Sequence, residues 1–249
     1  ATVTALQMQG MPRALVLAAA FVTGMLAGGL AGGVTGFLKA KLNINEVLVA
    51  IMLNYILKFF ASYCVHGPLQ DPESSVAQTT AIGENYMLTK LVPKSQLTTA
   101  FLIGILLAVL LYLFFSKTRA GFNIRAVGEN GTAAQASGIG MIKTVIMTMA
   151  VSGALAALTG ITEVFGKYHR FIEGFSPSFG FTGIAVAILG RNHPAGVLLT
   201  ALLFGIMDMG SLRMSRETMV STNMVIVIQS LVILLVAAPE LIKWGRKRG

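Results

Sequence analysis

Two carboxylates, Glu163 and Asp208, are the clearest candidates for chemistry inside the long apolar runs of this chain. An ionisable residue within a membrane span marks a functional site by default. Glu163 has Lys167 four residues on, which is the spacing of an ion pair on one helix face. A pairing role and a solute or gating role therefore both remain open for Glu163. Asp208 stands closer to the end of its run, where a solvated residue is favoured over a solute contact.

A second polar pair, Asn54 and Tyr55, lies near the middle of another apolar run. Polar groups that face lipid are costly, so these two side chains are expected to face protein or a cavity. Hydrogen bonding between helices and contact with a solute are equally open for them. Lys58, one turn further on, is expected to snorkel or to pair, and Cys64 to serve as a small packing residue.

The sequence contains none of the residue patterns that carry catalysis or hold a metal. There is no P-loop, HExxH or GxSxG motif and no paired-carboxylate arrangement, and the three histidines lie far apart. The glycine-rich run that begins at Gly128 lacks the preceding strand and the phosphate-binding lysine of a nucleotide loop. We therefore expect no catalytic residue, metal or cofactor, and any ATP used must be hydrolysed by another polypeptide.

The composition predicts a membrane protein. Of 249 residues, 55% are hydrophobic and only 12% are charged, and the mean hydropathy is +0.75. A soluble domain needs roughly a quarter of charged residues, so lipid must be the solvent. The net charge of +9 comes from basic residues that flank apolar runs, which argues against nucleic-acid binding.

A helix needs about 20 apolar residues to cross the membrane, so the length allows about seven spans in a single all-α membrane domain over residues 1–249. One run, 179–189, is too short to cross upright and is bounded by glycine and proline, which indicates a half-helix or re-entrant segment. Polar connections are expected at 39–45, 66–98 and 211–222. The other predicted spans are 15–38, 46–64, 99–115, 144–165, 195–209 and 223–238.

Glycines at every fourth position of the first span, from Gly24 to Gly36, predict close helix packing. The chain begins at Ala1 without an initiator Met and enters a span almost at once, so we expect further N-terminal spans to be missing. Placing the long basic connection 117–143 inside puts 11 of the 19 Lys and Arg residues on the inner side and seven outside. This bias favours a cytoplasmic loop and a cytoplasmic C-terminus.

The connection 117–143 is longer than a loop between two helices needs. Asn130 can cap, and Gly138 can close, a short helix of Ala133, Ala134, Gln135 and Ala136. We interpret the segment as a docking element for a cytoplasmic partner.

Four stretches resemble a known family: LNINEVLVAIMLNYI, GFNIRAVGENGTAAQASGI, EGFSPSFGFTGIAVAILGRNHPAGVLLTALLFG and IQSLVILLVA. Their wording is similar to the permease subunits of bacterial ATP-driven importers for branched-chain amino acids, ribose and simple sugars, and in particular to nucleoside (guanosine-type) uptake permeases. The resemblance covers nearly the whole chain from about residue 15. It implies a multi-pass protein of the bacterial inner membrane.

In that family the cytoplasmic loop holds a coupling helix that seats in a groove of the ATPase subunit. The resemblance assigns this role to Gly121, Arg125, Gly128, Asn130, Ala133, Ala134, Gly138 and Ile139. It further implies ATP-binding cassette subunits, a second identical or related permease chain and an extracytoplasmic solute-binding protein or lipoprotein as partners. The family's common Gly-Asp wording near Thr182 is absent, which puts a polar contact there in doubt.

An aromatic pathway would suit the planar base of a nucleoside. Tyr55, Phe179 and Phe181 would line it, with Asn54 supplying hydrogen bonds and Glu163 and Asp208 as further candidates. The alternative class is a stand-alone channel or ion-coupled secondary transporter. Such a protein needs intramembrane ion-coupling groups and usually internal repeats, and only Glu163 offers such a group.

Overall fold

The computed structural model describes residues 12–72, 74, 76–89, 91, 97–175 and 179–218, and the single positions 224, 227, 228, 230 and 231. Within these residues the regular structure is helical, apart from one isolated bridge between Gln78 and Ile172. A 3₁₀ turn covers Glu84–Tyr86, and a π-helical turn, Val164–Tyr168, extends the sixth α-helix. The α-helices are α1 (Arg13–Leu42), α2 (Glu46–His66), α3 (Thr99–Lys117), α4 (Arg119–Glu129), α5 (Gly131–Ala136), α6 (Met141–Glu163), α7 (Phe179–Leu189) and α8 (Pro194–Thr218).

Five of these helices are long and apolar enough to cross a membrane: α1, α2, α3, α6 with its π-helical turn, and α8. Helix α7 has 11 residues, which corresponds to about 16 Å, about half the thickness of the hydrocarbon core. The predicted all-α membrane architecture with one short apolar helix is thereby confirmed. The last predicted span, 223–238, lies outside the described residues except for five positions.

Packing divides the described chain into two units, each considered by itself below. The first falls within Ala1–Gly104 and Leu113–Ser176, and the second within Ile105–Tyr112 and Pro177–Gly249.

Helices α1 and α6 form the closest contact of the first unit. A Cβ atom added at Gly28 would lie 2.5 Å from the carbonyl oxygen of Gly153, and one at Gly36 would lie 2.9 Å from the Cα atom of Ile146. Only glycine permits such an approach, because any side chain would meet the partner backbone. The four-residue glycine spacing predicted from the sequence thus brings two membrane helices into antiparallel contact.

The connection between α2 and α3 packs against the far end of α6. We call the described residues between 71 and 89 the loop cap. Backbone N–H groups of Thr79, Ile82 and Leu88 donate to carbonyl oxygens of residues 171, 169 and 165 at 3.0, 2.8 and 3.0 Å. A small apolar core of Ala20, Ile82 and Phe165 lies beneath the loop cap. These bonds satisfy backbone groups that an irregular segment could not otherwise pair near the membrane.

At the opposite end of α1, the helix continues through Leu42, so most of the predicted connection 39–45 is helical. The polar residues from Lys39 onward had suggested that the helix ends earlier. Lys39 instead lies in the last turn of α1, where its Nζ pairs with Glu46 of α2 at 2.8 Å. The chain reverses at Asn43, whose φ of 52° is left-handed. The predicted N-cap of α2 is confirmed, since Asn45 Oδ1 accepts a hydrogen bond from the N–H of Val47 at 2.9 Å.

In the second unit, α7 and α8 form a tight helical hairpin. The N–H of Asn192 donates to the carbonyl of Ala187, and that of Arg191 to the carbonyl of Ile188, which closes α7. A Cβ atom at Gly190 would lie 2.7 Å from the Cα atom of Val197, so glycine is needed for the hairpin. The predicted glycine- and proline-bounded break between residues 189 and 194 is confirmed.

The prediction of a polar turn over 211–222 is wrong for residues 211–218, which continue α8. The Ser211 hydroxyl donates to the carbonyl of Asp208 at 2.7 Å and is satisfied within the helix. The segment contains no proline, and Leu, Arg and Met favour helix. The polar residues after the apolar run therefore do not end the helix. Residues 219–222 lie outside the described residues.

Candidate functional site

The segment between α3 and α6, residues 117–143, is built from two short helices, and we call it the elbow. Helices α4 and α5 both contact α6. The predicted short helix is present as α5. Helix α4 was not predicted, although the cap residue Thr118 followed by an amphipathic run could have indicated it.

Thr118 joins α3 to α4. Its hydroxyl donates to the carbonyl of Phe114 at 2.6 Å and accepts from the N–H of Gly121 at 3.0 Å. One side chain thus closes the C-terminus of α3 and caps the N-terminus of α4. The direction in which α4 leaves α3 is fixed by these two bonds.

Gly121 is buried against the end of α3. A Cβ atom at this position would lie 2.7 Å from the Cα atom of Phe115 and closer still to the carbonyl oxygen of Phe114. Backbone atoms cannot move aside as a flexible side chain can. Glycine is therefore required for the close packing of α4 on α3, whereas at Gly128 a Cβ atom would have no neighbour within 4 Å.

Asn130 joins α4 to α5 in the same manner as Thr118 joins α3 to α4. Its N–H donates to the carbonyl of Ala126 at 3.0 Å, and its Oδ1 accepts from the N–H of Ala133 at 3.0 Å. Asparagine is among the best N-cap residues because its short side chain reaches the free N–H groups of the first turn. The predicted capping role of Asn130 is confirmed.

Helix α5 ends at a left-handed glycine. Gly138 has a φ of +83°, and its N–H donates to the carbonyl of Gln135, while the N–H of Ile139 donates to that of Ala134, both at 3.0 Å. This pair of bonds is the Schellman arrangement, which glycine adopts at low cost. The predicted closing role of Gly138 is confirmed.

The residues of α5 do not all face outward. Ala134 is buried, at 4% exposure, while Thr132, Ala133, Gln135 and Ala136 are exposed. Ala134 therefore supports the elbow from within. Ala136 and Thr132 lie on the side of α5 opposite to Ala134, and this side is exposed.

The elbow also carries charge and an apolar cleft. Arg119, Arg125 and Glu129 are exposed on α4. An open cleft of about 600 Å³ lies beside the start of α6, and its walls are mostly apolar. It is lined by Gln135, Ile139, Gly140, Met141, Ile142, Lys143, Ile146 and Met147. Of the predicted coupling residues, Ile139 is the one that lines this cleft.

The predicted pathway residues of the first unit occupy two separate places. Asn54 and Tyr55 are exposed on α2, and the Tyr55 ring stacks on that of Phe59 with 6.5 Å between centroids. Glu163 ends α6, where its Oε2 lies 3.9 Å from the Nζ of Lys167. That oxygen is buried and accepts no hydrogen bond from a described residue.

The predicted pathway residues of the second unit lie on its two helices. Phe179 and Phe181 occupy the first turn of α7, and Phe181 is 78% exposed. Asp208 lies on α8, exposed, with its carbonyl oxygen bonded to the Ser211 hydroxyl. No cluster of three or more metal-ligating side chains occurs among the described residues.

The sequence of the chain matches a known family of membrane transport proteins. The family model for the permease component of the branched-chain amino acid transport system matches residues 1–237. The chain belongs to this family. Membership confirms the predicted resemblance, and it means that the chain is a permease component and not the ATPase.

Curated relatives of this permease include proteins with different named solutes. The nucleoside ABC transporter permease NupB of Lactococcus lactis is 35% identical over 86% of this chain and 61% of its own length. The guanosine permease NupP of Bacillus subtilis is 34% identical over 94% and 68%. The glucose permease TsgB13 of Haloferax volcanii is 30% identical over 94% and 64%.

The chain spans about three fifths to two thirds of the length of these relatives. No solved structure matches the permease significantly.

Proposed function

We propose that this permease is the membrane-spanning subunit of an ATP-driven importer that moves a nucleoside or a related simple sugar across the bacterial inner membrane. The names of NupB, NupP and TsgB13 support this solute class, because nucleosides and glucose share a hydroxyl-rich ring. Two permease chains enclose the pathway, and an extracytoplasmic binding protein or lipoprotein delivers the solute.

The observation that carries the proposal is the construction of the elbow. Two capping side chains, Thr118 and Asn130, and the left-handed backbone of Gly138 fix the directions of α4 and α5. A segment that only connected α3 to α6 would not need two capped helices. Its exposed face of small residues suits close, shape-matched contact with an ATPase subunit, and Arg119 and Arg125 suit acidic groups or lipid headgroups around it.

The distribution of charge supports a cytoplasmic elbow. In the first unit, α1 and α6 run antiparallel, so Lys39 and Lys41 lie at the same end of these helices as Lys143. Arg13 lies at the other end, where its guanidinium donates to the carbonyl of Met87 in the loop cap at 2.9 Å. Positive charges concentrate on the cytoplasmic side of membrane proteins, so we assign the elbow to the cytoplasm and the loop cap to the outside. By the same rule, the basic residues near the end of the sequence, Lys243, Arg246, Lys247 and Arg248, assign the C-terminus to the cytoplasm.

For the pathway itself, we assign solute contact to Asn54, Tyr55, Phe179 and Phe181. Exposed aromatic rings suit stacking on a planar base, and an amide suits hydrogen bonds to its polar edge. The 3.9 Å contact between Glu163 and Lys167 supports the pairing role for Glu163.

Reconstitution tests the proposal. The full-length permease is incorporated into proteoliposomes with its ATPase and binding-protein partners, and uptake of radiolabelled guanosine is measured. We expect uptake that needs all components and hydrolysable ATP. Uptake by the permease alone would contradict the proposal and favour the channel or secondary-transporter class.

A further inference from the structure

Helix α2 carries a cation that the proposed function does not use. Lys58 is exposed, and no described acidic residue forms an ion pair with it. By helical rise it lies about 18 Å from the Glu46 end and about 12 Å from the His66 end of α2. A charge at that depth is costly in lipid and is expected to face water or a protein interior.

Lys58 belongs to a row of polar side chains at four-residue intervals, which we call the polar stripe: Asn54, Lys58, Ser62 and His66. Each step of four residues turns by about 40° around a helix, so the four members share an arc of about 120°. The remainder of α2 is mainly apolar. Ile56 and Phe60 lie about 160° from Lys58, at nearly the same depth.

The polar stripe ends beside the loop cap. His66 Nδ1 donates to the carbonyl of Ser62 at 3.0 Å, which leaves Nε2 facing Glu173 Oε2 at 3.8 Å. A second ion pair, between two residues outside the helices, joins Arg170 to Asp71 at 3.9 Å. The stripe thus runs from the middle of α2 to a polar, water-exposed end, as the lining of an aqueous path would.

We propose that the polar stripe lines the solute pathway and that Lys58 is its electrostatic filter. The inference rests on the proposed import function and adds a specificity-determining residue to it. The Lys58 ammonium and the Asn54 amide donate hydrogen bonds to a solute rich in hydroxyl, carbonyl or ring-nitrogen acceptors. The same ammonium repels positively charged solutes, so the permitted class is neutral or anionic.

Helix α2 cannot be surrounded by lipid on all sides, because the stripe places a charge and three polar groups along one arc of the helix. Among the described residues, α2 buries only Val65, so the fold of the first unit does not cover the stripe. Ile56 and Phe60 are each 63% exposed. Both faces of α2 are exposed in the first unit, so exposure does not distinguish them. They differ in polarity, and the accessibility of each face to a charged reagent can be measured.

Cysteine labelling of the full-length permease in its assembled complex tests the inference. The native cysteine is removed by Cys64→Ala, and single cysteines are introduced by Asn54→Cys or Ser62→Cys on the stripe and by Ile56→Cys or Phe60→Cys on the opposite face. Membranes are treated with anionic sulfonatoethyl methanethiosulfonate or with its cationic trimethylammonium counterpart. We expect both stripe cysteines to react at least tenfold faster than the two control cysteines.

The role of Lys58 as a filter is tested by substituting Lys58 in the Ser62→Cys variant and measuring the labelling rates of that cysteine. Side chains one turn apart lie about 6 Å apart, where a unit charge changes the local concentration of a charged reagent about threefold even at the dielectric constant of water. Loss of the ammonium should therefore lower the ratio of anionic to cationic labelling rates about tenfold. We expect this drop for Lys58→Met and Lys58→Gln, and full retention of the ratio for Lys58→Arg.

Equal labelling rates on the two faces of α2 would overturn the lining role of the stripe. A ratio of anionic to cationic labelling rates that Lys58→Met and Lys58→Gln leave unchanged would overturn the role of Lys58 as a filter. ATP-dependent guanosine uptake by the wild-type complex is measured in parallel. If uptake occurs and the stripe cysteines do not react, the inference fails alone. If the wild-type complex shows no ATP-dependent uptake, the proposed function fails as well.

Discussion

Asn130 accepts a hydrogen bond from the N–H of Ala133 at 3.0 Å while its own N–H closes α4 on the carbonyl of Ala126. One residue therefore terminates one helix and starts the next. The orientation of α5, and with it the face that we assign to the ATPase, depends on this side chain.

Asn130→Ala should weaken the elbow without affecting insertion. Loss of an N-cap costs about 1 kcal/mol, which lowers the ratio of ordered to disordered elbow about fivefold. We expect ATP-dependent uptake by the complex to decrease by up to about fivefold. Asn130→Asp, which keeps the oxygen acceptor, is the control and should retain most of the uptake; equal loss in both variants would contradict a capping role.

The glycines of the elbow should respond differently to alanine. Gly121→Ala places a methyl group against the backbone of Phe114 and Phe115 and should tilt α4, with a loss of uptake of at least tenfold. Gly128→Ala meets no atom within 4 Å and should be neutral or stabilising by up to about 1 kcal/mol, since alanine favours helix. Uptake is measured at equal protein abundance in the membrane, and equal effects at both positions would contradict the packing described here.

The contact between α1 and α6 gives a prediction about stability. Gly28→Ala directs a methyl group at the backbone of Gly153, whereas the same change at Gly29 makes contacts of 3.5 and 3.6 Å, which are ordinary. Overpacking costs about 1–3 kcal/mol, or about 2–12 °C in melting temperature for a chain of this size. Thermal unfolding of the detergent-solubilised permease should show this decrease for Gly28→Ala and none for Gly29→Ala.

Sidedness is tested at Gln135, which is exposed on α5. In the Cys64→Ala background, Gln135→Cys should react with a membrane-impermeant maleimide in inverted membrane vesicles and not in intact cells. This follows from the placement of the elbow in the cytoplasm. Reaction in intact cells would place the elbow outside and would remove the basis of the importer proposal.

Several features could be predicted from the sequence because they depend on local residue chemistry. The cap at Asn130, the left-handed position at Gly138 and the break after α7 each follow from one or two residues with strong backbone preferences. The four-residue glycine spacing of α1 predicted close packing, but not that α6 would be the partner. A partner is chosen by tertiary complementarity, which the spacing on one helix does not contain.

Other features were missed because polarity was taken as a sign of a connection. Helix α4 and the end of α8, through Thr218, are polar and yet helical. The burial of Ala134 could not be predicted either, since Ala133, Ala134 and Ala136 are chemically alike and only the packing of α5 distinguishes them. The polar stripe of α2 was present in the sequence, but its meaning depends on the face being left uncovered by the first unit.

The burial of Ala134 decides which substitution tests docking. An arginine at Ala134 would disrupt α5 itself, so a loss of uptake there would not distinguish docking from folding. Ala136 lies on the opposite, exposed side, where Ala136→Arg adds bulk and charge without entering the elbow. We expect Ala136→Arg to abolish co-purification of the ATPase and to lower uptake at least tenfold, while Ala136→Ser retains both. Normal co-purification of the ATPase with Ala136→Arg would mean that this face of α5 is not the one the ATPase binds.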